Sequence, residues 1–295
     1  MTGQADIAII GAFAYDQIGT TGRPLDEKSL RNAKLQTLRR DFGGCGGNLA
    51  YSCARLNNSA FVFGTLGDAD GAAYLDHLER LSIPTQGLLQ LVGASAQGLV
   101  ITDPNGDQFT AFYPGPDLSQ ETWSAHLSQH QSALTEARFV VQAPFPAQLT
   151  QAVFDLLGAT NSQAQLIWCP GQYADMLSSE ELSQMLPGVD LVVGNQWEID
   201  YLRQHTSDIA CLLLKTDGAN PVQLIQHDQV LHSIPVPPAK TITDPTGCGD
   251  ALIAAILCHL NQKQATLEAT AIAAVLPDAI THAQRCLAVA GCQGF

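Results

Sequence analysis

Residues 244–250, "DPTGCGD", set two aspartates around a Gly-Cys-Gly turn and lead straight into the apolar run "ALIAAILCHL". Gly247 and Gly249 let the chain turn tightly and let its backbone approach a ligand closely. A helix beginning there presents free N–H groups and the positive end of its dipole, which together hold an anion such as phosphate. Asp250 beside that anion is ill suited to holding it. It is well suited to accept a proton from a hydroxyl attacking phosphorus. The alternative is an aspartate that merely caps a buried helix. The glycine pair and the second aspartate weigh toward phosphoryl transfer.

Composition decides how such a site is built. The 295 residues carry 28 acidic and 14 basic side chains, a net charge of −14. That excess disfavours nucleic acid and anionic membranes as partners, since both need a positive face. With only five lysines, backbone amides are the natural anion holders. A Walker-A loop is excluded, because the chain has no Gly-Lys dipeptide. A dinucleotide-dependent dehydrogenase is excluded too, because the first apolar run leads into "GAFAYDQIG" without Gly-x-Gly-x-x-Gly. The eight cysteines show no Cys-x-x-Cys spacing and read as free thiols. "HLSQH" (126–130) reads as a solvated helix face and not as a metal site. No signal peptide or membrane-length apolar run is found, so a soluble, cytoplasmic protein is expected.

The elements that must position the motif follow from periodicity. "DIAIIGAF", "AFVFGTLG", "ARFVVQAP", "AQLIWCPG", "VDLVVGN" and "IACLLLKT" read as apolar strands, separated by helical patterns such as "GNLAYSCARL" and "GAAYLDHLERLSI". This alternation predicts an α/β protein whose mostly parallel sheet is covered on both faces. Two stretches break the rhythm. Residues 17–41 are polar and charged, and 97–115 form a hairpin pattern around "DPNGD". Both are expected in a small β-rich lid, within one domain spanning 1–295.

With these motifs in place, the chain resembles the ribokinase-like (PfkB) family of sugar and nucleoside kinases over almost its whole length, and its bacterial adenosine-kinase-like members in particular. The family signature Asp-Thr-x-Gly-Ala-Gly-Asp stands here as Asp244-Pro245-Thr246-Gly247-Cys248-Gly249-Asp250. "DFGGCGGNLAY", "TAFYPG", "PGQ" and the ending "GCQ" carry the rest of the likeness. The resemblance implies a three-layer α/β/α sandwich with a β-rich lid. It implies Asp250 as catalytic base, with Gly247, Cys248 and Gly249 amides as the anion hole, each such donor contributing about 3 kcal/mol. Gly43 and Gly44 would be the lid hinge. Asn48 and Asp16, placed at the end of the first strand, would grip substrate hydroxyls. Phe112 and Tyr113 would lie against a flat base. Read alone, "GGCGGN" is a glycine turn with Asn48 as helix cap, Asp16 is a turn residue, and Phe112 or Tyr113 packs within the lid.

On the cofactor side, the resemblance implies ATP and Mg2+. Asn195 and Glu198 of "VVGNQWEID" would face the metal, Glu198 as an indirect ligand through water, although the same spacing is a capping box in form. Thr216 and Gly218 would touch nucleotide phosphates together with Asp244 and Thr246. Besides Pro245 and Cys248 within the signature, three positions depart from the pattern: Pro221 where a glycine is usual, Cys169 where an aspartate precedes "PGQ", and Pro277 in the final helix region. The expected activity is phosphorylation of a ribose hydroxymethyl group, most specifically the 5′-hydroxyl of adenosine. Rivals are a ribose or ketose kinase of the same family and a catalytically silent nucleoside-binding protein. The acceptor, any monovalent-cation requirement and the choice between monomer and homodimer are left open.

Overall fold

Apolar runs too short for helices become strands, and the longer amphipathic runs between them become helices. The computed structural model describes residues 5–26, 32–105, 107–206 and 209–295. The chain opens with β1 (Ile7–Ile10), β2 (Ala14–Thr21), β3 (Leu35–Gly43), α1 (Cys45–Arg55), β4 (Ala60–Gly67), α2 (Ala72–Arg80) and β5 (Leu88–Leu91). It continues through β6 (Ala96–Thr102), β7 (Gln108–Tyr113), α3 (Gln120–Gln129), α4 (Gln131–Thr135), β8 (Phe139–Gln142), α5 (Ala147–Ala159) and β9 (Gln165–Trp168). It ends with α6 (Ser179–Met185), β10 (Leu191–Asn195), α7 (Gln196–His205), β11 (Leu212–Thr216), β12 (Val222–Gln226), β13 (Gln229–Ile234), α8 (Cys248–Gln262) and α9 (Ala269–Leu287).

A nine-stranded sheet has the order β13-β12-β11-β10-β9-β8-β1-β4-β5. From β11 to β5 every neighbouring pair is parallel, while β12 and β13 add antiparallel at one edge. Alternate residues of β1 go to opposite layers. Ile7 and Ile9 pack with α1, α2, α8 and α9, whereas Ala8 and Ile10 pack with α3 to α7. This two-sided burial is why the parallel strands are continuously apolar. Helix α8 is buried from Ala251 to Cys258 without a break, because it lies between α1 and α9 against the sheet. Its apolar circumference has that cause.

His126 departs from expectation. It shares one face of α3 with Trp123, three residues earlier, and is buried with its Nε2 against the Gly87 carbonyl at 2.9 Å. The spacing that looked solvated is the packing face of a short helix.

The second sheet, β3-β2-β6-β7, is the lid. Its central pair β2–β6 is parallel, and both outer pairs are antiparallel. Asp103 closes the β6–β7 turn by accepting hydrogen bonds at Oδ1 from the amides of Asn105 (2.8 Å) and Asp107 (3.0 Å). Asp16 is on β2, inside the lid, and not at the end of β1. Gly11, Ala12 and Phe13 separate the two strands, and the apolar sequence runs on through this bend. Among the described residues, no helix is long and apolar enough to cross a membrane.

Candidate active site

Gly247 is the N-cap of α8 and adopts φ +74. A Cβ there would stand 2.7 Å from Cys292 Cβ, so both conformation and space require glycine. Asp250 is therefore the third helical residue and not the cap. Cys248 N lies 3.3 Å from Pro245 O and Ala251 N lies 2.9 Å from Gly247 O. The Gly249 and Asp250 amides remain as the donors this helix start offers outward. Around Gly249 a Cβ would meet nothing within 4 Å, so this mouth is open. The contrast yields a test. Gly247→Ala should cost roughly 1–3 kcal/mol of stability in a denaturant titration, from strain and collision. Gly249→Ala should leave stability equal or raise it by up to about 1 kcal/mol, and, on the expectation that an anion docks at this mouth, lower turnover by obstructing its approach.

Asp250 Oδ2 accepts a hydrogen bond from Asn48 Nδ2 at 2.9 Å. Burial pushes the carboxyl up to about 7 and the charge of Asp16 adds to the rise, while the Asn48 bond and the Cys45 thiol oppose it. Such a group is half ionised at neutral pH, the balance that proton abstraction favours. Asn48 does not cap α1. The cap position is Gly44, at φ 82, where a Cβ would lie 2.5 Å from Ala12 O.

Asp244 ties the lid to this turn. Its Oδ1 accepts from Thr246 N (3.0 Å), and its Oδ2 from Gly291 N (3.1 Å) and Arg39 Nη2 (2.7 Å). Arg39 is on β3 and also donates through Nε to Asp41 Oδ2 at 2.6 Å. Burial would raise the Asp244 carboxyl, but the bonds from Thr246 and Gly291 and the Arg39 charge outweigh it and hold it low.

The lid register aligns Asp41, Asp16, Gly98 and Phe112 in one row across β3, β2, β6 and β7. Residues opposite one another share a face, so Asp16 and Phe112 flank the bare strand at Gly98. A Cβ on Gly43 would stand 2.0 Å from Asp16 Oδ2, and one on Gly98 2.9 Å from Oδ1. Both glycines make room for this carboxylate. Burial first, then the charges of Asp41 and Asp244, push Asp16 up to about 6, with Arg39 pulling the other way. Phe112 lines a cavity of about 470 Å³ with Thr65, Pro144, Phe145, Gln172 and Tyr173. Tyr113, next along the strand, is on the opposite face.

Asn195 and Glu198 form a full capping box at the start of α7. Glu198 N donates to Asn195 Oδ1 (2.9 Å), and Glu198 Oε2 and Oε1 accept from Asn195 N (2.9 Å) and Nδ2 (3.0 Å). The buried Cys169 thiol is pushed up by burial and then by the charges of Asp250 and Glu198. Thr216 pairs with Asn195 across β11 and β10. Gly218 follows at φ +56, with open space where a Cβ would be.

The pfkB family carbohydrate kinase description matches residues 4–281. The chain belongs to the pfkB family. Among solved structures, a Burkholderia thailandensis nucleoside kinase in complex with inosine is 26% identical, with TM-score 0.80, covering 97% of this chain and 92% of that one. A Giardia lamblia ribokinase (18% identity, TM-score 0.81, covering 99% and 95%) and a Methanocaldococcus jannaschii nucleoside kinase (19%, 0.74, 99% and 94%) share the fold. This pfkB kinase thus has the ribokinase-type architecture, an α/β/α sandwich. Arg39, Tyr74, Cys45 and Gln293 carry no individual role in the sequence analysis, Cys45 and Gln293 standing there only within "GGCGGN" and "GCQ". An arginine in the polar lid was the sole signal for Arg39, and nothing local marked the others.

Proposed function

We propose that this pfkB kinase transfers the γ-phosphoryl group of ATP to the ribose hydroxymethyl of a purine nucleoside, adenosine being the leading acceptor, in the cytoplasm. The observation that carries the reading is the lid row. It sets a carboxylate, a bare glycine and an aromatic ring side by side, with strands about 5 Å apart. Asp16 would accept hydrogen bonds from two vicinal ribose hydroxyls. Asn48 would support the sugar, and Phe112 would stack on the base beyond Gly98, worth about 1–3 kcal/mol. The related Burkholderia enzyme, solved with inosine and in a form described as ADP-inosine, supports a nucleoside over a free sugar.

In the reaction, Asp250 takes the proton of the 5′-hydroxyl as its oxygen bonds to phosphorus and the bond from phosphorus to the ADP oxygen breaks. The Gly249 and Asp250 amides at the start of α8 stabilise the migrating group, the Cys248 amide being turned to the Pro245 carbonyl. Asp244 and Thr246 hold that turn in shape, and Thr216 and Gly218 form the floor for the nucleotide phosphates. Among the described residues, no group of three or more His, Cys, Asp or Glu is poised around a metal. Mg2+ would be held by the nucleotide phosphates and water, with Glu198 facing it through water. When bound, the ion neutralises phosphate charge.

An acceptor panel tests the proposal. Adenosine, inosine, guanosine, cytidine, ribose and fructose are each offered with ATP, and ADP release is followed. Purine nucleosides should exceed free sugars by roughly 100-fold in kcat/KM, the stacking energy expressed as rate. Preference for a free sugar would reassign the acceptor, and ADP release with none would support a silent binder.

A further inference from the structure

A chain of hydrogen bonds runs from the lid hinge to Asp250, and each link has its polarity set by the one before. Gly43 O, a backbone carbonyl, can only accept, and the Tyr74 hydroxyl donates to it at 2.6 Å. The Tyr74 oxygen must then accept its other bond, from Gln293 Nε2 at 3.0 Å. That turns the Gln293 amide so that its nitrogen also faces Asn48 Oδ1 at 3.1 Å, while its oxygen faces His77 Nε2 at 2.8 Å. With Oδ1 engaged, Asn48 has only its amino group to present to Asp250, at 2.9 Å. Gly47 leaves space for the chain, because a Cβ there would stand 2.0 Å from the Tyr74 hydroxyl and 3.0 Å from Gln293 Nε2.

Resting on the proposed role of Asp250 as base, we infer that Gln293 and Tyr74 are positioning residues. They fix the Asn48 side-chain amide so that it donates to the base, and they anchor that choice at the hinge carbonyl of Gly43. Were the amide reversed, Asn48 Oδ1 would face the Asp250 carboxylate, and two acceptors would repel. The relay therefore holds the base ionised at a lower pH than burial alone would allow. Tyr74 suits its post, since burial raises its hydroxyl well above the ordinary value and keeps its proton in place.

Gln293→Glu tests this, because it keeps shape and removes the donor. Its carboxylate accepts from both Asn48 and Tyr74, so the amide of Asn48 turns over. The expected result is a loss of roughly 10- to 100-fold in kcat/KM at pH 6, with much of it recovered by pH 9, as the acidic limb moves to higher pH. Tyr74→Phe should shift the limb the same way by less, since Gln293 keeps His77. Gln293→Met, similar in length, guards against misfolding as the explanation. A purely structural role predicts that Met and Glu variants with wild-type melting temperatures lose activity equally at every pH. An unmoved limb in both Gln293→Glu and Tyr74→Phe overturns the relay. The relay and the base assignment fail separately. If Asp250→Asn keeps the wild-type rate, the base assignment is lost, whatever the Gln293 variants do.

Discussion

Asp250→Asn is expected to lower kcat by about 10³-fold, within the range that general-base catalysis contributes. Nucleoside affinity, followed by equilibrium binding, should change little, because Asn48 Nδ2 can still donate to the new amide oxygen. In the wild type, kcat/KM should rise with pH and level off with an apparent pKa near 7, and the variant should lack this limb. Stability should move the opposite way. The folded carboxyl titrates at about 7 against an ordinary value of 3.8, so the fold favours the protonated form. Wild-type stability is then intact at pH 4 and falls as pH climbs through 7. A permanently neutral asparagine escapes that loss, so the variant should melt higher than wild type at pH 8 and level with it at pH 4. Retention of most of the wild-type rate would remove Asp250 from the chemistry.

The second large effect belongs to Asp16. On the proposed binding mode, Asp16→Asn removes the charge and one acceptor that two vicinal hydroxyls would share, and KM for the nucleoside should rise by roughly 100-fold. The KM for ATP should hardly move. Gly43→Ala should approach the same phenotype without touching the carboxylate, since its methyl would occupy the place of Asp16 Oδ2. The two changes should not add. With Asp16 already shortened to alanine, the extra methyl at residue 43 should cost little, and a double-mutant cycle reads the difference as coupling. Full additivity would mean that Gly43 serves the hinge alone.

The strands and helices of the main sheet were legible in the sequence for one reason. A strand buried on both faces has no freedom to be polar, as Ile7 to Ile10 show. The turn at Gly247 was legible because its chemistry is local, packed into seven consecutive residues. The lid was harder. Leu35–Gly43 carries polar side chains on both faces, so the stretch announced a break in rhythm and not a strand. Asp16 was assigned to the wrong strand because no polar residue interrupts the passage from β1 to β2. The least legible contacts are those between distant segments. Arg39 meets Asp244 across 205 positions, and Gln293 meets Asn48 across 245. Periodicity and motif spacing are blind to pairings of that kind.

Around Arg39 the groove crowds Asp16, Asp41 and Asp244. Because Asp16 is buried and also faces the charges of Asp41 and Asp244, a share of empty enzyme molecules carries a proton on it near pH 6. On the proposed binding mode, ribose hydroxyls donating to this carboxylate would favour its ionised form, and binding would drive the proton into solution. Calorimetric heats should consequently depend on the ionisation enthalpy of the buffer at pH 6 and become buffer-independent above pH 8. By the same logic, a ribose mimic bearing an ammonium group in place of one hydroxyl should outcompete the natural sugar.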